Sequence, residues 1–179
     1  KIFELLEAHK LFNIPYSKLD ILIHPNSLVH AIIKLKNGLT KLLYHETSMK
    51  IPLANAIFDG KLNIEDFHKN NKETKIEFEN LKFEKVNPKI FPTISLKKIA
   101  NRYPSTPIII NSCNEVLVDQ FLRENIPFLS IYKIIMTILK DRNFKKYAIR
   151  NPKNISEIFK INNWARKKTL EKINKIRND

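Results

Sequence analysis

Apolar residues open this chain at helical spacing. Ile2, Leu5, Leu6, His9 and Phe12 recur along one stripe and Lys1, Glu4, Ala8 and Leu11 along another, which predicts a first helix. The period then shortens. Leu19 to His24 reads as a short strand stopped by Pro25, Leu28 to Lys36 as a second strand and Leu39 to Tyr44 as a third. Asn37-Gly38 sits between the last two and signals a two-residue hairpin, in which both positions take positive φ. In the second strand Ala31, Ile33 and Leu35 share one face, expected to be core. His30, Ile32, Lys34 and Lys36 share the other, a mixed surface. Pro52 marks the start of a short helix through LANAIF.

From Asp59 to Lys89 the pattern is polar and irregular, as expected of a linker. It holds two possible short strands (Leu62-Asn63-Ile64 and Ile76-Glu77-Phe78) and an exposed loop, HKNNKET. After Phe91-Pro92 the helical period returns. A short helix covers Ile94 to Asn101 and stops near Pro104, and a long one covers Ile108 to Glu124, with Val116, Phe121 and Leu122 among its expected buried residues. Ile126-Pro127-Phe128 breaks the pattern, and Ser130 is expected to cap the apolar helix IYKIIMTILKD. Asn154 and Ser156 are candidate caps of a last helix running toward Ile176, with Ile158, Phe159 and Trp164 among its apolar residues. Short links between such helices make an antiparallel bundle. The fold class is therefore α+β: a small sheet first, then a helical bundle. The division falls at 1–58, 59–90 and 91–179.

Composition narrows the function classes. At 43% hydrophobic residues, 179 residues can bury a core. The 32 basic and 18 acidic residues leave +14, yet the lysines are scattered among asparagine and isoleucine. No compact basic block interleaves with aromatics, so nucleic acid is not the expected partner. No apolar run reaches membrane-spanning length. The single cysteine, Cys113, permits neither an internal disulfide nor a cysteine zinc cage, and its place in a helical pattern suggests a small buried hydrophobe. Two glycines cannot build a Gly-rich phosphate loop, so a dinucleotide would have to be held elsewhere.

Candidate chemistry begins at the first turn. Lys1 and Glu4 are three apart and point the same way, beside helix N–H groups that favour anions. Glu4 offers hard oxygens to a divalent cation, although the same two residues also make an ordinary surface ion pair. The surrounding sequence bears on that choice. KxxELLEAxxLFNxP, then ILIHPxSxVH, then the Asn-Gly pair, then MKxPLANA, Phe91-Pro92 and INSCNEVLVDQFL together resemble 1-deoxy-D-xylulose 5-phosphate reductoisomerase in order and spacing. The resemblance runs along the whole chain and corresponds to the C-terminal part of that enzyme.

The resemblance implies the end of an α/β catalytic domain over 1–58, a linker over 59–90 and a helical bundle over 91–179. It implies conversion of 1-deoxy-D-xylulose 5-phosphate to 2-C-methyl-D-erythritol 4-phosphate in isoprenoid biosynthesis. NADPH and Mg²⁺ or Mn²⁺ would serve the reaction in a cytoplasmic (or plastid-type) homodimer. Lys1 and Glu4 match two positions of the family's Asn-Lys-x-x-Glu pattern, which makes Lys1 a phosphate contact and Glu4 a metal ligand at the substrate. Glycine often stands in the family where this chain has Ile2. His30 reads by itself as a hydrogen-bonded structural histidine, while its match to a family position close to the active site implies a residue that supports the site. Met49 matches a methionine near the nicotinamide pocket. Around Met49 the family usually reads Gly-x-Pro-Asp-Met-Arg, whereas this chain has His45, Thr47, Ser48 and Lys50. The NADPH domain and the remaining metal ligands are expected upstream of Lys1, so the fragment alone is expected to be inactive. His24, Trp164 and the Asn114-Glu115 pair read as structural. The competing class is a basic helical module that binds nucleic acid or a protein.

Overall fold

The computed structural model describes residues 1–61 and 81–178. Chain contacts divide them into two compact units, Lys1–Ile21 with Val86–Asp179, and Leu22–Lys85. The first unit is helical and the second holds small antiparallel sheets, in keeping with an α+β chain. The packing boundaries differ from the divisions at 58/59 and 90/91, because the opening helix joins the later helices. The expected strands at 62–64 and 76–78 and the HKNNKET loop lie outside the described residues.

In the helical unit the elements are α1 (Ile2–Phe12), α3 (Leu96–Ala100), α4 (Thr106–Leu122), α5 (Phe128–Leu139), α6 (Phe144–Ala148) and α7 (Ile155–Asn178), α2 belonging to the other unit. The core follows the sequence stripes. Ile109, Ile110, Cys113 and Leu117 of α4 meet Ile134, Ile135 and Ile138 of α5 and Ile161, Ala165 and Ile173 of α7. Along α7 the buried positions step by four through Ile161, Ala165, Thr169 and Ile173, and the small residues at 165 and 169 leave room for close approach. The Thr169 hydroxyl is satisfied within the helix, donating to the Ala165 carbonyl at 2.8 Å. A polar seam joins α4 to α7: Ser112 shares its hydroxyl hydrogen between the Ile108 carbonyl (2.7 Å) and Asn162 Oδ1 (2.6 Å). Arg166 pairs with Glu115, whose other oxygen accepts from Asn111 Nδ2 at 2.8 Å. Of the Asn114-Glu115 pair, Glu115 thus ties α4 to α7 through Arg166, in keeping with a structural role.

One cap differs from expectation and one agrees with it. Ser130 lies inside α5, which begins two residues earlier, because Pro127 in extended geometry (ψ 153°) sets the entry. For α7, Asn154 Oδ1 accepts from the Glu157 N–H at 3.0 Å, and the Glu157 carboxylate accepts from the Lys153 N–H at 2.9 Å. That reciprocal arrangement makes Asn154 the cap.

The second unit contains β1 (Leu22–Ile23), β2 (Val29–Lys34), β3 (Thr40–Tyr44), α2 (Lys50–Ile57) and β4 (Glu84–Lys85). Among the described residues β1 pairs only with β4, and β2 with β3, both antiparallel. The first strand is shorter than Leu19–His24. His24 leaves it to bond the Lys82 carbonyl through Nδ1 (2.8 Å) and to stack on Phe83 at 4.9 Å, a structural histidine as read.

The hairpin loop has three residues rather than two. Leu35 pairs with Leu39 through an N–H···O bond of 2.8 Å, the Gly38 N–H reaches the Leu35 carbonyl at 3.1 Å, and only Gly38 has positive φ (88°). This is a type I turn closed by a left-handed glycine. Asn37 keeps ordinary φ and instead accepts from the Leu39 N–H at 3.1 Å. The face carrying Ala31, Ile33 and Leu35 is not a sealed core, since Ile33 is 51% and Leu43 54% exposed.

Candidate functional site

Lys1 caps the N-terminus of α1 without a side-chain cap bond, and its carbonyl accepts from the Leu5 N–H at 3.0 Å. Leu5 and Leu6 are buried and root this turn, which leaves Lys1 and Glu4 on its outer side. Lys1 Nζ donates to Glu4 Oε2 at 2.7 Å while both side chains remain exposed, at 71% and 61%. An exposed pair of this kind is weak, because water competes for both charges. A phosphate and a cation could therefore separate the pair at little cost. The geometry also satisfies the surface-pair reading, and from these two residues alone the two are equivalent.

His30 occupies a break in the ladder. Val29 faces Tyr44 and Ala31 faces Leu43, so β2 has one more residue than β3 at this point and His30 is the extra one. A bulge re-aims a side chain out of strand alternation. The His30 ring lies parallel to that of His45, with centroids 3.7 Å apart and planes 4° apart. His30 Nε2 is 3.3 Å from the His45 carbonyl, and His45 Nδ1 is 2.5 Å from the Glu46 carbonyl. The sequence showed His45 only as a departure from the family's glycine. A three-residue loop and a one-residue bulge set it beside His30, and neither was read from the strand pattern.

Met49 stands at the N-terminus of α2, 72% exposed, with its carbonyl accepting from the Leu53 N–H at 3.3 Å. Ser48 Oγ accepts from the Lys50 N–H at 3.3 Å, which shapes the turn in place of the family's Pro-Asp. Lys1 and Glu4 belong to the helical unit, His30 and Met49 to the sheet-containing one.

Among the described residues no group of three or more His, Cys, Asp or Glu side chains could hold a metal. Glu4 fits a magnesium or manganese ligand in donor type and exposure, but as one donor where several oxygens are needed. Two surface depressions lie elsewhere in the helical unit. One of about 550 Å³ is lined by Tyr132, Lys133, Met136, Lys140 and Lys172, and one of about 320 Å³ by His9, Lys10, Tyr16, Arg102 and Tyr103. Neither includes Lys1 or Glu4. Burial raises the Tyr16 hydroxyl above its ordinary pKa, and it pushes the Cys113 thiol up to about 11 against a lowering hydrogen bond with Thr169. Cys113 is buried, as expected, while Trp164 is only partly buried and stacks on Tyr147 at 4.5 Å. No described helix is long and apolar enough to cross a membrane.

Comparison with known proteins gives one family. Residues 45–168 match the model of the DXP reductoisomerase C-terminal domain. A 1-deoxy-D-xylulose 5-phosphate reductoisomerase of Pelagibacter ubique is 39% identical over 170 residues, covering 92% of this chain and 42% of that protein. The same-named protein of Aquifex aeolicus is 34% identical, covering 96% and 43%. The chain thus spans about two fifths of the length of these relatives. Among solved structures, a reductoisomerase from Zymomonas mobilis in complex with NADPH aligns with a TM-score of 0.76 at 25% identity, over 96% of this chain and 44% of that one. A DOX-P reductoisomerase structure with fosmidomycin and magnesium aligns with a TM-score of 0.84 at 24% identity, over 99% and 44%, and speaks to the fold.

Proposed function

We propose that this chain, which belongs to the DXP reductoisomerase C-terminal domain family, forms the C-terminal part of an enzyme converting 1-deoxy-D-xylulose 5-phosphate to 2-C-methyl-D-erythritol 4-phosphate. The observation that carries the reading is the breadth of the match: 92% of the chain aligns with a relative of that name at 39% identity, and the family model, over residues 45–168, reaches into both units. The enzyme would be a cytoplasmic homodimer of the isoprenoid pathway, using NADPH and Mg²⁺ or Mn²⁺. The division of labour is 1–58 for the end of the catalytic domain, 59–90 for a linker and 91–179 for the bundle.

The chain's own residues have distinct tasks in this reading. Glu4 contributes one carboxylate to a divalent ion, and the first turn of α1, rooted by Leu5 and Leu6, fixes where that carboxylate stands. Lys1 neutralises the substrate phosphate once its exposed contact with Glu4 opens. His30 stands beside the substrate site in its bulged position, and Met49 places its exposed thioether near the nicotinamide. When bound, the metal supplies Lewis acidity and a template for adjacent substrate oxygens, and NADPH supplies hydride.

Residues 1–179 alone are expected to show no turnover, since they offer one proposed metal ligand and no Gly-rich dinucleotide loop. A coupled test assays this chain and the intact polypeptide that carries it with 1-deoxy-D-xylulose 5-phosphate, NADPH and Mg²⁺. NADPH oxidation by the intact protein only is the expected result. Turnover by the isolated chain, or none by the intact protein, would contradict the reading.

A further inference from the structure

The stacked histidines carry a consequence for the proposed site. We propose that His45 is a positioning residue for His30: its ring and its carbonyl oxygen hold the bulged His30 imidazole in one orientation and one tautomer, which presents Nδ1 as an acceptor for a substrate hydroxyl. The proposal rests on the reading of His30 as a residue of the reductoisomerase site.

The geometry supports each part. A bulged side chain lacks the cross-strand neighbour that normally fixes its orientation, so another contact must do so. The ring of His45 supplies that contact, parallel within 4° at 3.7 Å, and covers one face of the His30 imidazole. A carbonyl oxygen only accepts hydrogen bonds, so Nε2 of His30, 3.3 Å from the His45 carbonyl, is the nitrogen that carries the proton. In the neutral ring Nδ1 is then an acceptor. It suits a hydroxyl, which can donate, and not a phosphate or carboxylate anion, which cannot. The covering ring is itself held, because His45 Nδ1 donates to the Glu46 carbonyl at 2.5 Å. A glycine at position 45, as in the family pattern, keeps the carbonyl but provides no wall.

The test uses the intact protein labelled with ¹³C- and ¹⁵N-histidine, with His30→Ala to assign the His30 signals, and the variants His45→Gly and His45→Phe. Stacking should displace the His30 ring protons upfield in the wild type and in His45→Phe. The displacement should vanish in His45→Gly. The ¹⁵N spectrum should show the Nε2-protonated tautomer. With substrate, kcat/KM of His45→Gly should fall between about 10- and 100-fold, mostly in kcat, as for groups that orient a functional residue. His45→Phe should recover most of the loss. No upfield displacement in the wild type overturns the stack, and unchanged kinetics in His45→Gly overturns its purpose. Full activity in His30→Ala with the displacement intact in the wild type would show that the reading of His30 fails, and the proposal with it.

Discussion

Truncating Leu6 should loosen the first turn that carries Lys1 and Glu4. Leu6 is 6% exposed and joins the helical core, with Ile2 and Phe3 packed against that core beside it. Leu6→Ala removes buried methyl and methylene groups and leaves a cavity, a change that costs about 2–4 kcal/mol in well-packed cores. If that energy anchors α1, its amides should exchange about 30- to 1000-fold faster by local opening. Leu11→Ala is the internal control on the same helix, since Leu11 is 76% exposed and its loss should cost no more than about 0.5 kcal/mol. Hydrogen exchange of the intact protein, read over Leu5 to His9, measures both. In the same variant the Mg²⁺ concentration needed for half-maximal turnover should rise, because a frayed turn no longer pre-places the carboxylate. Equal protection in Leu6→Ala and Leu11→Ala would refute the claim that packing of α1 on the bundle sets the site.

Other outcomes follow from burial and charge. Cys113 should resist thiol reagents in the native protein at pH 8 and react on unfolding, because burial excludes the reagent and holds the thiol protonated. Its pKa is raised from 9.0 to about 11, so between those values the unfolded chain has lost a proton that the folded chain retains. The contribution is complete below pH 9 and falls as pH rises toward 11, by about 2–3 kcal/mol in all. Denaturant midpoints across that range should therefore decline more steeply for the wild type than for Cys113→Ala, and parallel declines would contradict it. Lys1→Ala should mainly raise KM for the sugar phosphate, since a phosphate contact serves ground and transition states alike. An unchanged KM in steady-state assays of the intact enzyme would count against that role.

The helices were the legible part of this chain, because burial there follows the period of the residues. In α4 the expected buried residues were Val116, Phe121 and Leu122: Val116 is buried and Phe121 packs against the core, but Leu122, at the end of the helix, is 73% exposed. The hairpin was legible only in outline. Asn37-Gly38 correctly located the reversal, but the loop length depends on whether Asn37 also adopts positive φ, and its side chain instead bonds the Leu39 N–H. That extra loop residue and the bulge at His30 set the register that brings His45 alongside, so the stack was beyond a strand pattern. The start of α5 was misplaced for a local reason, the extended geometry of Pro127. Lys1 and Glu4 were found by spacing, and their contact is as the spacing implies. Their role came from the resemblance, since an exposed pair looks the same with or without a metal to bind.

Glu4 in the intact enzyme decides the matter most directly. Glu4→Gln preserves shape and removes the charge that would hold the cation, and the side chain is too exposed for the change to disturb folding. With Mg²⁺ or Mn²⁺ varied at saturating NADPH, turnover should fall by about three orders of magnitude or more, since in the proposed reaction the substrate would be held on the metal throughout. The thermal midpoint should stay within about 1 °C. Near-wild-type turnover in Glu4→Gln, at any metal concentration, would contradict the assignment and leave the pair as a surface contact.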